Sequence, residues 1–276
     1  MKIKKLVRKK GAVTGLIFIL LLLFTAIFAP FLSTQNPIRQ NLSARFQPPN
    51  SRHWLGTDNL GRDIYSRIIY GSRISLTVGF SAVGLAASWG ILIGLISGFY
   101  GGWIDLIFMG IMEILMAFPS ILLAIAIVSI LGPSLPNAIT AIGIVYIPLY
   151  ARLTRAQVLS VKELEYVQAA RAEGCPDSRI LLVHILPNCS SPLIVQLSLG
   201  IGNAILDFAG LSFLGLGAQP PTPDWGSMLS STVHFLEIAP WAVVFPGILI
   251  TSTVFSFNLL GDGIRDLLDP KMLDRK

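Results

Sequence analysis

The chain alternates between long uncharged stretches and short polar intervals. No Asp, Glu, Lys or Arg occurs in residues 11–38, 74–104, 114–151, 180–206 or 238–261. A membrane-spanning helix needs about 20 mostly apolar residues, so each stretch can supply at least one. The stretches are continuous rather than alternating, which argues against a transmembrane β-barrel. The pattern predicts an all-α polytopic membrane protein with six transmembrane helices. The spans are expected at 11–32, 75–99, 104–131, 138–154, 192–214 and 241–260. Pro119 falls inside the third and should kink or break it, because proline lacks an N–H and crowds the preceding turn. The second is dotted with Gly79, Ser81, Gly84, Ala86, Ala87, Gly90 and Gly94. Small residues let helices approach closely where no water drives them together.

The intervals divide the chain further. Residues 1–32 hold a basic tail and the first helix, whose apolar core is longer than the roughly 7–15 residues of a signal peptide's apolar region. Residues 33–74 form an outer segment. Its Gly56, Asp58, Gly61, Asp63 pattern resembles an acidic metal loop but lacks the ligand number and terminal Glu of an EF-hand. A turn followed by an amphipathic surface helix is expected there. A core, 75–262, carries a polar loop at 156–191, and residues 263–276 form a tail. The Gly/Pro-rich 215–237 segment is expected to hold a re-entrant or surface helix.

Charge sets an orientation. Six of the 21 basic residues lie in the first ten positions, five in 152–187 and four in the C-terminal tail, against six in 33–73. Cytoplasmic flanks carry the excess of Lys and Arg, so both termini are expected in the cytoplasm. The net charge of +6 is spread over loops with no aromatic-interleaved basic patch, so nucleic acid is not an expected partner and membrane lipid is. Cys175 and Cys189 are too few for a disulfide framework and read as structural.

The polar interval 163–187, ELEYVQAARAEGCPDSRILLVHILP, looks folded. Leu164, Val167 and Ala170 fall on one helix face. Gly174 stands where a helix end needs positive φ, and Pro176 cannot continue that helix. Asp177 suits the N-cap of a second helix, 178–186, which Pro187 would end. Ala169 and Ala170 have no bulk, so another surface could approach there. A plain solvated hairpin between two spans fits the same pattern.

Ionisable residues inside spans are costly and mark candidate sites. Asp105 lies near a span end, where an interfacial role competes with a functional one. Glu113, among Met109, Met112 and Met116, could line a pathway or pair with a partner subunit. Asp207 is the most isolated and is expected to face the bundle interior. No G-x-x-x-x-G-K-[ST] phosphate loop, H-E-x-x-H or G-x-S-x-G occurs. His53, His184 and His234 lie in separate loops, so no metal site is expected, and Asp105 with Asp207 makes a poor protease dyad. No catalytic residue is assigned.

Several strings together carry a resemblance. LGTDNLGRDIYSR at 55–67, AFPSILLAIAI at 117–127, YVQAARAEG with HILPN at 166–174 and 184–188, SFLGLG with DWG at 212–217 and 224–226, and FNLLGDGIRDLLDP at 257–270 stand in family order. The chain resembles the C-type permease subunit of dipeptide, oligopeptide and nickel ABC importers. The resemblance implies a type I ABC importer permease fold in the bacterial cytoplasmic (inner) membrane. It also implies a second homologous permease, two ABC ATPase subunits and an extracytoplasmic substrate-binding protein. ATP and Mg would sit on the ATPase subunits, with no cofactor on this chain. Within 163–187 it implies an ATPase-coupling loop using Glu165, Gln168, Ala169, Ala170, Gly174, Asp177, Leu186 and Pro187. Gln168 replaces the family's usual Glu, and His184 a usual aliphatic residue. Glu113, Asp207 and Asp105 are the candidates for the translocation pathway. Peptide cargo leads, a nickel or nickel-chelate cargo is the runner-up, and a channel or secondary transporter is the rival class; such a carrier should show inverted halves with matching broken helices, which are not seen.

Overall fold

The computed structural model describes residues 9–268. Most of the basic tail and positions 269–276 of the C-terminal tail lie outside the described residues. Among the described residues the regular structure is helical, apart from one isolated bridge between Thr57 and Asp63. The main helices are α1 (Lys10–Ile27), α2 (Ile64–Tyr100), α3 (Gly102–Met116), α4 (Ser120–Leu131), α5 (Leu135–Val161), α6 (Glu165–Ala172), α7 (Leu186–Phe213), α8 (Trp225–Thr232) and α9 (Pro240–Leu268). Four helical stretches are long and apolar enough to cross a membrane: Lys10–Ile27, Ile64–Tyr100, Asp177–Phe213 and Pro240–Leu268. The α3–α4 pair makes a fifth if its two pieces count as one span. The break expected at Pro119 is a bend of 94° between them. The 27-residue α5 falls outside that set; it carries Arg152 and Arg155.

The small residues of α2 do what bulkier ones could not. A Cβ on Gly90 would stand 2.5 Å from Tyr150 Cβ and 2.7 Å from the Ile147 carbonyl oxygen. One on Gly94 would stand 2.5 Å from the Ala151 carbonyl oxygen, and one on Gly98 would stand 2.8 Å from Val158 Cβ. These three glycines recur every fourth residue and so form one seam along which α2 and α5 touch backbone to backbone. Gly79 opens a second contact, toward Ile201 and Ile205 of α7. α7 and α9 then pack on one another, and α9 packs on α1.

Several expected boundaries move. No surface helix precedes the second span: residues 64–74 are the first turns of α2, which runs unbroken for 37 residues because Asp63 caps it and no proline interrupts it. α5 extends past the expected 138–154 at both ends. Asp177 is not an N-cap; Pro176 holds that position and Asp177 opens the helical segment Asp177–Arg179. Pro187 does not end a helix. A π-helical stretch, Ile180–Ile185, leads straight into α7, and Pro187 follows it within one continuous helix, Asp177–Phe213; the change of winding falls just before the proline, whose missing N–H and ring an ordinary α turn accommodates poorly. The 215–237 segment holds α8 and a short 3₁₀ turn, Val233–Phe235, with α8 packed on α7 and α9.

The end of the bundle bearing residues 33–63 is a polar knot. Asp63 Oδ2 accepts from Ser66 N at 2.8 Å and Ser66 Oγ at 2.7 Å, which caps α2. Its Oδ1 lies 2.9 Å from His53 Nδ1. Asp58 accepts from the amides of Leu60 and Arg62 and from Arg62 Nε at 2.7 Å, and it lies 3.7 Å from Arg67 Nε. Arg67 also donates to the Pro37 carbonyl. Gly61, at φ +70°, brings its backbone so close to Asn41 that a Cβ would sit 1.8 Å from that residue's carbonyl oxygen. Trp225 Nε1 donates to the Ile68 carbonyl at 3.0 Å and Trp241 Nε1 to that of Thr57 at 3.3 Å, which ties the knot to α8 and α9. Asp224 caps α8 through the amides of Gly226 and Ser227, and burial pushes its carboxyl above the ordinary carboxylate range. Arg62 and Arg67, only 8% and 2% exposed, are held inside the protein, so they do not act as free flanking charges.

Two outcomes test this packing. Gly94→Ala should lower stability by about 1–3 kcal/mol, the usual cost of forcing extra volume into a filled contact. An unchanged thermal unfolding midpoint in detergent would remove the α2–α5 seam from the account. Asp63→Ala should cost about 1–2 kcal/mol for the lost cap alone. Limited proteolysis would report it as faster cleavage within residues 33–63.

Candidate functional site

The hairpin 163–187 is built from a helix stop. α6 ends at Ala172, and Gly174 follows at φ +78°. The Gly174 amide donates to the Arg171 carbonyl at 3.0 Å, and the Cys175 amide reaches back to that of Ala170 at 3.1 Å. This is the paired hydrogen-bond pattern of a Schellman cap, and it needs a residue that accepts positive φ. Pro176 then directs the chain into Asp177–Arg179 and on toward α7.

Beneath the hairpin lies a small core of its own. Val167, Ile180, Ile185 and Cys189 are buried against Leu95 and Phe99 of α2 and Val158 and Val161 of α5. Lys162 Nζ caps the last turn of α2 at the Gly98 carbonyl, 3.0 Å away, and the Arg171 guanidinium lies 5.2 Å from the Phe99 ring centre. The hairpin therefore sits on the ends of the two helices joined by the glycine seam. Leu164 does not join this core; it is exposed as the N-cap of α6.

The outward face combines polar and apolar groups. Glu165, Gln168, Ala169, Asp177 and Pro187 are exposed, whereas Ala170 is buried within the hairpin and Leu186 is partly buried on its core. Of the two alanines, Ala169 alone is open to a second surface. Gln168 Nε2 lies 3.4 Å from Glu163 Oε2. Leu182 and Val183, 61% and 57% exposed, add an apolar patch that the sequence reading assigned no role. Their signal was an apolar pair out of phase with the buried Ile180 and Ile185. A cleft of about 370 Å³ runs beside α6, lined by Phe99, Lys162, Glu163, Gln168 and Arg171.

The three intramembrane acids separate. Asp105, in the first turn of α3, makes two hydrogen bonds of 2.5 Å with Arg155 of α5. This ion pair joins α3 to α5 at the hairpin end. Glu113 is exposed on α3, and Met112 beside it is the one buried residue of that helix. Asp207, on α7, accepts from the Tyr146 hydroxyl of α5 at 2.7 Å. Tyr146 was not singled out from the sequence, because a lone tyrosine in an apolar run carries no pattern. Asp207 and Asp105 are therefore not brought together.

Comparison with known proteins places this architecture. Residues 90–274 match the family model described as binding-protein-dependent transport system inner membrane component. Residues 2–49 match that of the N-terminal TM domain of oligopeptide transport permease C. The dipeptide transport system permease protein DppC of Alkalihalophilus pseudofirmus is 54% identical over 98% of this chain and 88% of its own length. The protein of the same name from Escherichia coli is 50% identical over 96% and 90%. The glutathione transport system permease protein GsiD of Pectobacterium atrosepticum is 46% identical over 98% and 90%. The chain belongs to the binding-protein-dependent transport system inner membrane component family.

Proposed function

We propose that this chain is one half of the translocation pathway of an ATP-driven importer for dipeptides or oligopeptides in the bacterial cytoplasmic membrane. A second homologous permease supplies the other half. Two ATPase subunits, carrying ATP and Mg, serve the permease pair, one of them taking this chain's hairpin in its groove, and an extracytoplasmic binding protein delivers cargo to the 33–63 end. In this reading α5 and the α3–α4 pair complete six spans, and both termini are cytoplasmic. The observation that carries the proposal is the hairpin itself: a capped, outward-facing element whose core is shared with α2 and α5. Peptide cargo is supported by the names of the relatives, two for dipeptides and one for glutathione.

The mechanism follows from rigidity. An ATPase that closes on ATP moves whatever is docked in its groove. The hairpin cannot absorb that motion by bending, because the Schellman cap and its own core fix its shape. The displacement passes to α2 and α5 as one body. Alternating access needs two packings of the bundle, each favoured by one state of the energy source. Glu113, Asp207 and Asp105 remain the pathway candidates of this reading, with Asp105 acting through its pairing with Arg155.

Purification of the chain from native membranes in mild detergent should bring down one or two P-loop ATPases and a second six-span subunit. A lone chain across several detergents would overturn the importer reading. Gly174→Val places a β-branched side chain at positive φ, a strain of about 1–3 kcal/mol at the cap. It should reduce cargo uptake in reconstituted vesicles while ATP hydrolysis loses its dependence on loaded binding protein. Gly174→Asn, whose residue type tolerates that conformation, should retain most uptake. Normal coupling in the valine variant would remove the hairpin from the mechanism.

A further inference from the structure

The Asp207 carboxylate has a chemistry that the coupling mechanism does not use. It sits on α7 about two turns from the C-terminal end of that helix, which packs on α8. Gln196, Asn203 and Gly210 share its side of the helix, at spacings that return to one face. None of the four is buried; Asn203 is exposed and the others are partly so. Three polar side chains so aligned, Gln196, Asn203 and Asp207, are costly against lipid, so they look onto water or protein.

The hydrogen-bond inventory is one-sided. An ionised carboxylate accepts about four hydrogen bonds and donates none. Tyr146 supplies one, at 2.7 Å. Tyr146 spends its single proton on that bond, so its oxygen presents further acceptor capacity beside the carboxylate. Among the described residues no Lys, Arg or His lies within 4.0 Å of Asp207, in contrast to Asp105, which Arg155 neutralises. Adjacent acceptors, a negative charge and no internal cation select for a compact cation rich in donors. A primary ammonium has three donors and no acceptor.

We propose that Asp207, positioned by Tyr146, binds the ammonium group of the cargo as it enters the pathway. The assignment rests on the peptide-import reading, since the free amino terminus of a peptide supplies that group. It places Asp207 where a cargo cation arriving from the 33–63 end is met early. It also gives the permease a charge preference of its own, separate from that of a binding protein.

The test uses the complete importer that copurifies with this chain, reconstituted in liposomes with its binding protein and radiolabelled alanyl-alanine. Asp207→Asn should cut uptake about tenfold or more, the ratio expected when one charged hydrogen bond is lost. Asp207→Glu should recover much of it. Tyr146→Phe removes the same hydrogen bond and the neighbouring acceptor but keeps the charge, and should cut uptake measurably less than Asp207→Asn, by about threefold to fivefold. Subunit stoichiometry after purification should be the same in all three. Equal losses in Asp207→Asn and Tyr146→Phe would show that the bond serves only to join α5 to α7, and would overturn the proposal. Loss of the second permease from Asp207→Asn would also overturn it, by making a basic residue of that subunit the partner of Asp207. A parent complex that takes up no peptide would end the peptide reading, and with it the ligand named here.

Discussion

The fold depends on the direct contact of two helix backbones. Gly90, Gly94 and Gly98 remove every side chain from one stripe of α2, and α5 lies against that stripe at distances that exclude even a methyl group. In a membrane no solvent pushes helices together, so surface match and close approach carry the association. The seam matters beyond stability because of what stands at each end. At one end the hairpin core closes over Leu95, Phe99 and Val158, residues of the same two helices. Toward the other, Tyr146 of α5 holds Asp207 of α7. A force applied at the hairpin reaches the middle of the bundle through a pair that cannot slide without clashing.

Charge is arranged to the same end. A flanking arginine normally reports membrane orientation because it stays in water. Arg62 and Arg67 do not; they are buried beside Asp58. The apparent excess of positive charge in 33–73 therefore overstates what faces solvent there. The knot also explains why the 55–67 stretch mixes glycine, acid and arginine. It looked like a degraded metal loop. Its acids instead cap a helix and hold guanidinium and imidazole groups, while Gly61 lets the chain pass against Asn41.

What the sequence disclosed follows a physical division. Long uncharged runs, the break at Pro119 and the positive φ at Gly174 are local properties, and each was legible. The helix stop was readable because Gly then Pro leaves few alternatives. Pro187 misled because a helix can continue through a proline where its winding changes locally, here in the π-helical stretch just before it, and no local pattern announces that change. The continuity of 64–74 with the second span was hidden because polar residues there are buried by distant segments. Asp207 was legible as an isolated acid; its partner Tyr146 was not, since the pairing spans 61 positions. Leu182 and Val183 were missed because an exposed apolar pair reads like any other part of an apolar run.

The bundle is also uneven in how firmly its parts are held, and that unevenness bears on how it can move. α2, α5, α7 and α9 share one core, with Ile142, Tyr150, Ile205, Phe208 and Phe257 almost wholly buried. α3 buries Met112 alone, and α4 buries only Ala124 and Val128. Local opening is easiest where few apolar contacts must be broken. The α3–α4 pair is joined to the rigid body at the hairpin end by the Asp105–Arg155 ion pair, and it is broken in its middle at Pro119. α4 is held as well, through Ala124 and Val128 in the shared core, so α3, which buries Met112 alone, is the piece that can repack at least cost to its neighbours. The part of the chain least committed to its own core is therefore the part freest to repack, while the glycine seam holds α2 and α5 together as one stiff pair.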